Sequence, residues 1–389
     1  MFLLCYGLPT VAKYKMMIMM AVVIMCGVSV SSGSPVDVFV AGDSVSEGVL
    51  QWRIPSLVFT GNRTLLAFAE GRIDPRTDCG YKWIAVRRST DGGATWSKDV
   101  PVGGFGNMSY ASGNPMAVYH AASNKVVVVF GSKDLRERGG CSPGSGVFVV
   151  DDGGSDGLTW GEPRNISADL GGLSGPAGWG GVVPGPGAGA VLTRSHAGRI
   201  IMSGSLGAYG RDVVFFSDDA GASWTPSSTP LPNMDESGVA ELADGSIYIT
   251  MRNAHINSCD CQAYSVSTDG GVTFGPILYD ASLPSPICQA SAASRANGVL
   301  YFSNPASKTE RADITVRRTS APAMGGSGGI EWVPRGVVVA PGITWGGYSS
   351  LIVETIKRDK SGAALGGVLY ERNSSATDVI SFDTFNLDF

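Results

Sequence analysis

Ser89–Trp96 reads STDGGATW, and the pattern returns as SDDAGASW over Ser217–Trp224 and as STDGGVTF over Ser267–Phe274. Ser and Asp side chains bond nearby backbone N–H groups, and glycine takes φ > 0 without steric cost. The aromatic residue that closes each copy is large enough to lie beneath the turn and bury it. The pattern therefore predicts a hairpin turn pinned by its own side chains. A motif written three times answers a repeated structural need, whereas a catalytic site is normally made once.

The spacing carries more than the motif. VDDGGSDGLTW, ending at Trp160, falls midway between the first two copies, so the aromatic positions Trp96, Trp160, Trp224 and Phe274 are 64, 64 and 50 residues apart. A decayed copy, GGSGGIEW, ends 58 residues later at Trp332. A period of 50 to 64 residues is the mark of a blade-by-blade array. Short β-prone runs fill the intervals: SLVFTG, TLLAFAE, WIAVRRS, KVVVVFGS, GVFVVDD, DVVFFSD, SIYITMRN, GVLYFSN, ITVRRT and GVLYER. Most stop at Gly, Asn or Asp, as strands do. No long amphipathic helix interrupts them. The expectation is an all-β, six-bladed β-propeller of four-stranded antiparallel blades, an arrangement that hides strand edges by radial repetition.

Composition agrees. Of 389 residues, 54 are Gly and 21 Pro, 16% are charged and 43% hydrophobic, a loop-rich balance with ample apolar material for a core. The net charge of −5 speaks against a nucleic acid as partner. At the N-terminus, MFLLCYGLPTVAKYK precedes the apolar run MMIMMAVVIMCGVSV and the small residues SSGSP. Residues 1–34 read as a secretory signal peptide, or as a short anchor, and place the protein in the secretory pathway, whether secreted, lysosomal or at the cell surface. Residues 35–389 then form a single domain, about 59 residues for each of six blades. It is expected as a monomer or weak oligomer. Beyond the leader stand Cys79, Cys141, Cys259, Cys261 and Cys288, an odd number that leaves at least one free or paired elsewhere. Their spacing suggests no metal site. Sequons at Asn62, Asn107, Asn165 and Asn373 suit glycosylation.

The residues that do not repeat must carry function. They are QWRIPSL with Arg53; FAEGRIDPRTDCGYKW with Glu70, Arg72, Asp74 and Asp78; DESGVAELADGSIYITMRN with Glu236, Glu241 and Arg252; FSNPASKTERADITVRR with Arg311; and WGGYSSLIVE with Tyr348. Arginine is costly to bury, yet here it interrupts apolar strands in several repeats. Together these stretches resemble the exo-sialidase (neuraminidase) family over essentially all of residues 35–389. The Arg-Ile-Pro at 53–55, the Asp boxes and the order Arg, Asp, Glu, Arg, Arg, Tyr carry the likeness. The resemblance implies a six-bladed propeller with its site on the axis. It makes Arg53, Arg252 and Arg311 a carboxylate-binding trio, Asp78 the general acid/base, and Tyr348 with Glu236 the nucleophile pair. Glu70 and Arg72 match a pair that shapes the floor near the acid. Asp74 competes with Asp78 for the acid role, and Glu241 with Glu236. Decayed fourth and fifth boxes and Cys79 beside the acid are the departures from the family pattern.

The implied chemistry explains the inventory. A sialic acid is an anion at neutral pH, and three guanidiniums clamp its carboxylate while staying charged at every working pH. That carboxylate would repel a carboxylate nucleophile; a neutral tyrosine deprotonated by a neighbouring Glu avoids the clash. The resemblance implies a retaining exo-sialidase acting on terminal α-linked sialic acids of glycoproteins, glycolipids or oligosaccharides, with no cofactor and no metal. A trans-sialidase, a related nonulosonic-acid hydrolase and a sialic-acid-binding lectin without catalysis are the alternatives.

Overall fold

Apolar runs that stop at turn formers pair with their neighbours in sequence as antiparallel hairpins. The computed structural model describes residues 29–30, 34–44, 48–75, 77–104, 106, 108–135, 146–171, 181–206, 210–254, 259–326, 329–334, 336–339, 345–374 and 377–389. Most of the leader read at 1–34, together with Asn107 and Cys141, lies outside these residues. Among the described residues the chain forms strands, turns and bends and no helix.

Five sheets result. The largest contains two consecutive antiparallel sets. One is Gln51–Phe59, Leu65–Arg72, Lys82–Ser89 and Val100–Gly103; the other is Tyr110–His120, Lys125–Asp134, Gly146–Asp151 and Arg164–Asn165. A single parallel pair, Lys82 with Ala111, joins the two strands Lys82–Ser89 and Tyr110–His120. The third set runs Val182–Pro184, Ile200–Leu206 and Arg211–Ser217, with Thr225–Pro226 and Leu231–Pro232 sharing its outer edge. Asp235–Glu241, Ile247–Arg252, Cys261–Ser267 and Leu278–Pro284 form the next. Ser291–Ser294, Leu300–Pro305, Ile314–Arg318 and Val337–Val338 follow, with Ser29–Val30 added in parallel at the edge. The last sheet, Gly346–Arg358, Ala364–Ser374 and Thr377–Asn386, takes its fourth strand from the other end of the chain: Val36–Val40 pairs antiparallel with Thr377–Asn386.

The repeated motif occupies one place in this scheme. Ser89, Ser217 and Ser267 each end a third strand, and the motif leads into the fourth. In every copy the serine hydroxyl accepts from the glycine four residues on, at 2.8–2.9 Å. The aspartate carboxylate accepts the N–H of Thr95, Ser223 or Thr273 at 2.8–3.0 Å. The turn pinned by its own side chains is thus present three times. Gly93 shows why glycine is required: its φ is 88°, and a Cβ there would lie 2.1 Å from the Phe382 ring. The copies ending at Trp160 and Trp332 fall on the same third-to-fourth-strand connection.

Hydrophobic side chains pack between neighbouring sheets. Phe39, Trp52, Trp83 and Phe382 fill the seam between the last sheet and the first set, and Trp96 from the first turn lies against Phe382 with ring centroids 5.5 Å apart. The innermost strands meet at a buried waist. Ser56 Oγ donates to Gly187 O at 2.7 Å, the Leu57 N–H donates to Ser350 Oγ at 3.0 Å, and Gln289 Nε2 donates to Pro186 O and Ser349 O, both at 3.1 Å. A cavity opens at each end of this waist. Strand Gln51–Phe59, for example, presents Arg53 and Ile54 to the smaller one and Leu57–Phe59 to the larger.

Candidate active site

Four inner strands lose their regular register at the end nearest the smaller cavity. The breaks lie between Arg53 and Ser56, Gly113 and Met116, Asp235 and Ser237, and Gly346 and Ser349. A bulge leaves a residue out of the ladder and re-aims its neighbours. Ile54, Asn114 and Glu236 at these breaks have φ of 61°, 54° and 37°, an unfavourable region for a β-branched isoleucine above all. Buried side chains hold each irregular backbone by its N–H. Glu371 Oε1 accepts from Ile54 at 2.8 Å and Glu371 Oε2 from Tyr348 at 3.1 Å; Glu70 Oε1 accepts from Asn114 at 2.7 Å, and Ser205 Oγ from Glu236 at 3.2 Å.

The cavity so framed has a volume of about 400 Å³. Arg53, Arg72, Asp78, Glu236, Arg252, Arg311 and Tyr348 all line it. The Tyr348 hydroxyl donates to Glu236 Oε1. Arg252 Nη1 donates to Glu236 Oε2 at 2.6 Å and reaches the Tyr348 hydroxyl at 3.4 Å. The guanidiniums of Arg53 and Arg311 stand 5.4 and 5.6 Å from the Tyr348 ring centroid. Three cations from different strand sets therefore gather around one tyrosine. Burial pushes the Tyr348 hydroxyl well above its usual range, and the Glu236 charge adds to this, so the phenol is neutral until a base takes its proton.

Under the rim lies a second network. Glu70 is fully buried and does not reach the cavity. Its carboxylate is occupied by Arg72 Nη2 at 2.8 Å, Lys82 Nζ at 3.0 Å and the Asn114 N–H. It therefore lies in the floor beneath Arg72 and does not itself line the cavity. Burial would raise the Glu70 carboxyl, but Lys82, Arg72 and the Asn114 N–H hold it down at about 2. Gly113 is obligatory here, since a Cβ would come within 2.4 Å of Glu70 Oε1. Arg72 Nη1 also holds Asp78 Oδ1 at 2.6 Å. Of the competing residues, Asp74 does not line the cavity, whereas Asp78 does. Glu241 lies at the far end of its strand, accepting from Thr193 N at 2.8 Å and Arg194 N at 2.9 Å beside the other cavity.

Several site residues escaped the sequence reading. Glu371 is 1% exposed and takes Arg53 Nε at 2.6 Å; it sits in the run GVLYER, where an acid inside an apolar strand was as strong a signal as the arginines. Asp235 and Lys82 line the cavity as well. Burial first, then the Glu236 charge, pushes the Asp235 carboxyl up to about 8. Cys288 is a free, buried thiol packed with Ile54 and Tyr348, while Cys259 and Cys261 form a disulfide and Cys79 is disulfide-bonded. Among the described residues no cluster of His, Cys, Asp and Glu suited to a metal ion occurs.

Comparison with known proteins bears on family and fold. Residues 63–326 match a BNR repeat-like domain. A sialidase of Micromonospora viridifaciens is 32% identical over 303 residues, covering 70% of this chain and 44% of that protein. A sialidase of Bacteroides fragilis is 28% identical over 364 residues, covering 85% and 61%. The chain thus spans roughly half of the length of these relatives. The crystal structure of an intramolecular trans-sialidase from Ruminococcus gnavus, in complex with oseltamivir carboxylate, superposes with a TM-score of 0.73 at 16% identity, covering 91% of this chain and 97% of that one. At that identity the likeness speaks to a propeller-type fold alone.

Proposed function

This chain belongs to the sialidase family, and on that premise we propose that it is a retaining exo-sialidase releasing terminal α-linked sialic acids from glycans. The observation that carries the reading is the Tyr348–Glu236 hydrogen bond ringed by Arg53, Arg252 and Arg311 within one cavity. In this scheme the trio binds the sugar carboxylate, a desolvated charge pairing that fixes the anomeric carbon over the Tyr348 oxygen. Glu236 takes the phenolic proton as that oxygen attacks. Asp78, protonated, gives its proton to the departing glycosidic oxygen. The sugar is left bound to Tyr348. Asp78, now ionised, takes a proton from water; the hydroxide so formed displaces Tyr348 and the phenolate recovers its proton from Glu236. Two inversions give net retention.

The same reading counts the two linked sets of the largest sheet as separate blades and makes a six-bladed propeller, closed by the pairing of Val36–Val40 with Thr377–Asn386. Secretion and N-glycosylation belong to the proposal too; Asn62, Asn165 and Asn373 are all exposed. The test is release of the aglycone from an aryl sialoside and from sialyl-lactose, with lactose added in parallel. Free sialic acid as the product supports the proposal. Sialyl transfer to lactose in its place moves the assignment to a trans-sialidase, and tight binding without release moves it to a lectin.

A further inference from the structure

Around Arg252 the charges do not balance. Asp235 faces it in cross-strand register, with Oδ2 3.4 Å from Arg252 Nε. Glu236 holds Nη1 at 2.6 Å. Asp212, on the strand Arg211–Ser217 of the adjoining sheet, is fully buried; its Oδ1 accepts from Ser205 Oγ at 2.6 Å, and that hydroxyl in turn accepts the Glu236 N–H. Two buried carboxyl groups thus share one guanidinium, and a third, Asp212, stands behind them. Asp235 Oδ1 is buried and has no hydrogen-bond partner among the described residues. A carboxylate oxygen buried without a donor is costly, and the usual escape is to bind a proton. Arg53 does not relieve the crowding, because Glu371 already engages it.

We propose that Asp235 is a positioning residue for Arg252 and works as a neutral acid, standing 3.4 Å from the Nε edge of the guanidinium so that Nη1 serves Glu236 and the remaining N–H groups face the substrate carboxylate. Ionised, Asp235 would compete with both Glu236 and the substrate for the same cation, and would set a second negative charge beside the general base. Neutral, it fixes the fork without neutralising it. The groups that face Asp235 are Glu236 on its own strand, Arg252 on the paired strand, Asp212 on the adjoining sheet, and Tyr348 beyond Glu236 across the cavity. The inference rests on the sialidase reading, since it gives Arg252 a carboxylate to bind. Its consequence is a loss of activity on the alkaline side as Asp235 ionises: the proton is bound at working pH and leaves as pH rises through the raised pKa of about 8.

The experiment is the pH profile of kcat/KM for the full chain and three variants on an aryl sialoside, beside a 13C-carboxyl NMR titration. Wild type should fall about tenfold per pH unit above the ionisation. Asp235→Asn, which copies the neutral acid in shape, should stay within about threefold of wild type at pH 6 and lose the alkaline limb. Asp235→Ala should raise KM at least about tenfold at pH 6, because a guanidinium freed on one edge no longer presents its fork. Asp212→Asn should keep the limb. The proposal is overturned if Asp235→Asn follows the wild-type limb, if Asp212→Asn alone abolishes it, or if Asp235→Ala leaves KM unchanged. Should wild type release no sugar at any pH, the sialidase reading fails, and the NMR titration still decides for Asp235. A resonance lost in Asp235→Asn and titrating in the alkaline range supports its neutral state; titration near 4 contradicts it.

Discussion

Asp78 stands at the rim of the cavity with its side chain 77% exposed, tied through Arg72 to the buried Glu70. In the proposed scheme it meets the leaving group at the mouth, a role that choice of substrate separates from loop capping. Sugar alkoxides leave poorly unless protonated as the bond breaks, whereas acidic phenols leave unaided. Asp78→Ala should therefore lose about 10²–10⁴-fold on sialyl-lactose and much less on an activated aryl sialoside. Equal losses on both, with a lower Tm, would show that Asp78 only caps its loop. Part of this site was legible as single residues, because an arginine in an apolar run, such as Arg53 or Arg252, is conspicuous, whereas Tyr348, an uncharged ring, was singled out by the family resemblance alone. Glu371 was not found, although it follows the same logic as the arginines, and neither was Asp235, which reads as an ordinary acid before Glu236. What marks Asp235 is the register that sets it against Arg252 and the sheet that brings Asp212 behind it, and neither is written locally.

The Asp box is the element the sequence spells out most fully. Asp91 accepts from Ser89 Oγ at 2.8 Å, from Ala94 N and Thr95 N at 3.0 Å each, and from Thr95 Oγ1 at 2.5 Å. The Thr95 hydroxyl first, then its N–H, hold the carboxyl down at about 2. Asp91→Ala should cost on the order of 1 kcal/mol, as loss of a capping side chain does. The sign with pH is fixed: a depressed carboxyl stabilises fully above its unfolded pKa of about 4, and that stability is lost as pH falls through the folded value. The Tm gap between wild type and variant should thus be open at pH 6 and close towards pH 2; a gap independent of pH would refute the account of the turn. By contrast, the inner strands were the hardest elements to read. YASGNPMAV, DESGVAE and GGYSS carry small and polar residues where a strand would normally alternate, because these segments bulge beside the cavity, and Ser349 O of the last accepts from Gln289 Nε2 at the buried waist. Val36–Val40 was missed for a different reason: nothing local says that it completes a sheet begun more than 300 residues later.

At the scale of the molecule, the fold is what makes the chemistry available. Tyr348 and Glu236 are 112 residues apart in sequence, and Arg53 and Glu371 are 318 apart, yet each pair is in hydrogen-bond contact. Cores between adjoining sheets hold the inner strands in register, and the closing strand ties the N-terminal segment to the last sheet, so the arginines of separate sets stay aimed at one point. Preorganisation of this kind is worth having only if Tyr348 forms a bond to the sugar, and that is the central claim. Incubation of the full chain with a fluorinated sialoside that slows the second step, followed by proteolysis and mass spectrometry, tests it directly. The account predicts one sialyl adduct, on the oxygen of Tyr348, lost in Tyr348→Phe. An adduct on Glu236 or Asp78, or none from protein that hydrolyses sialosides, would contradict it.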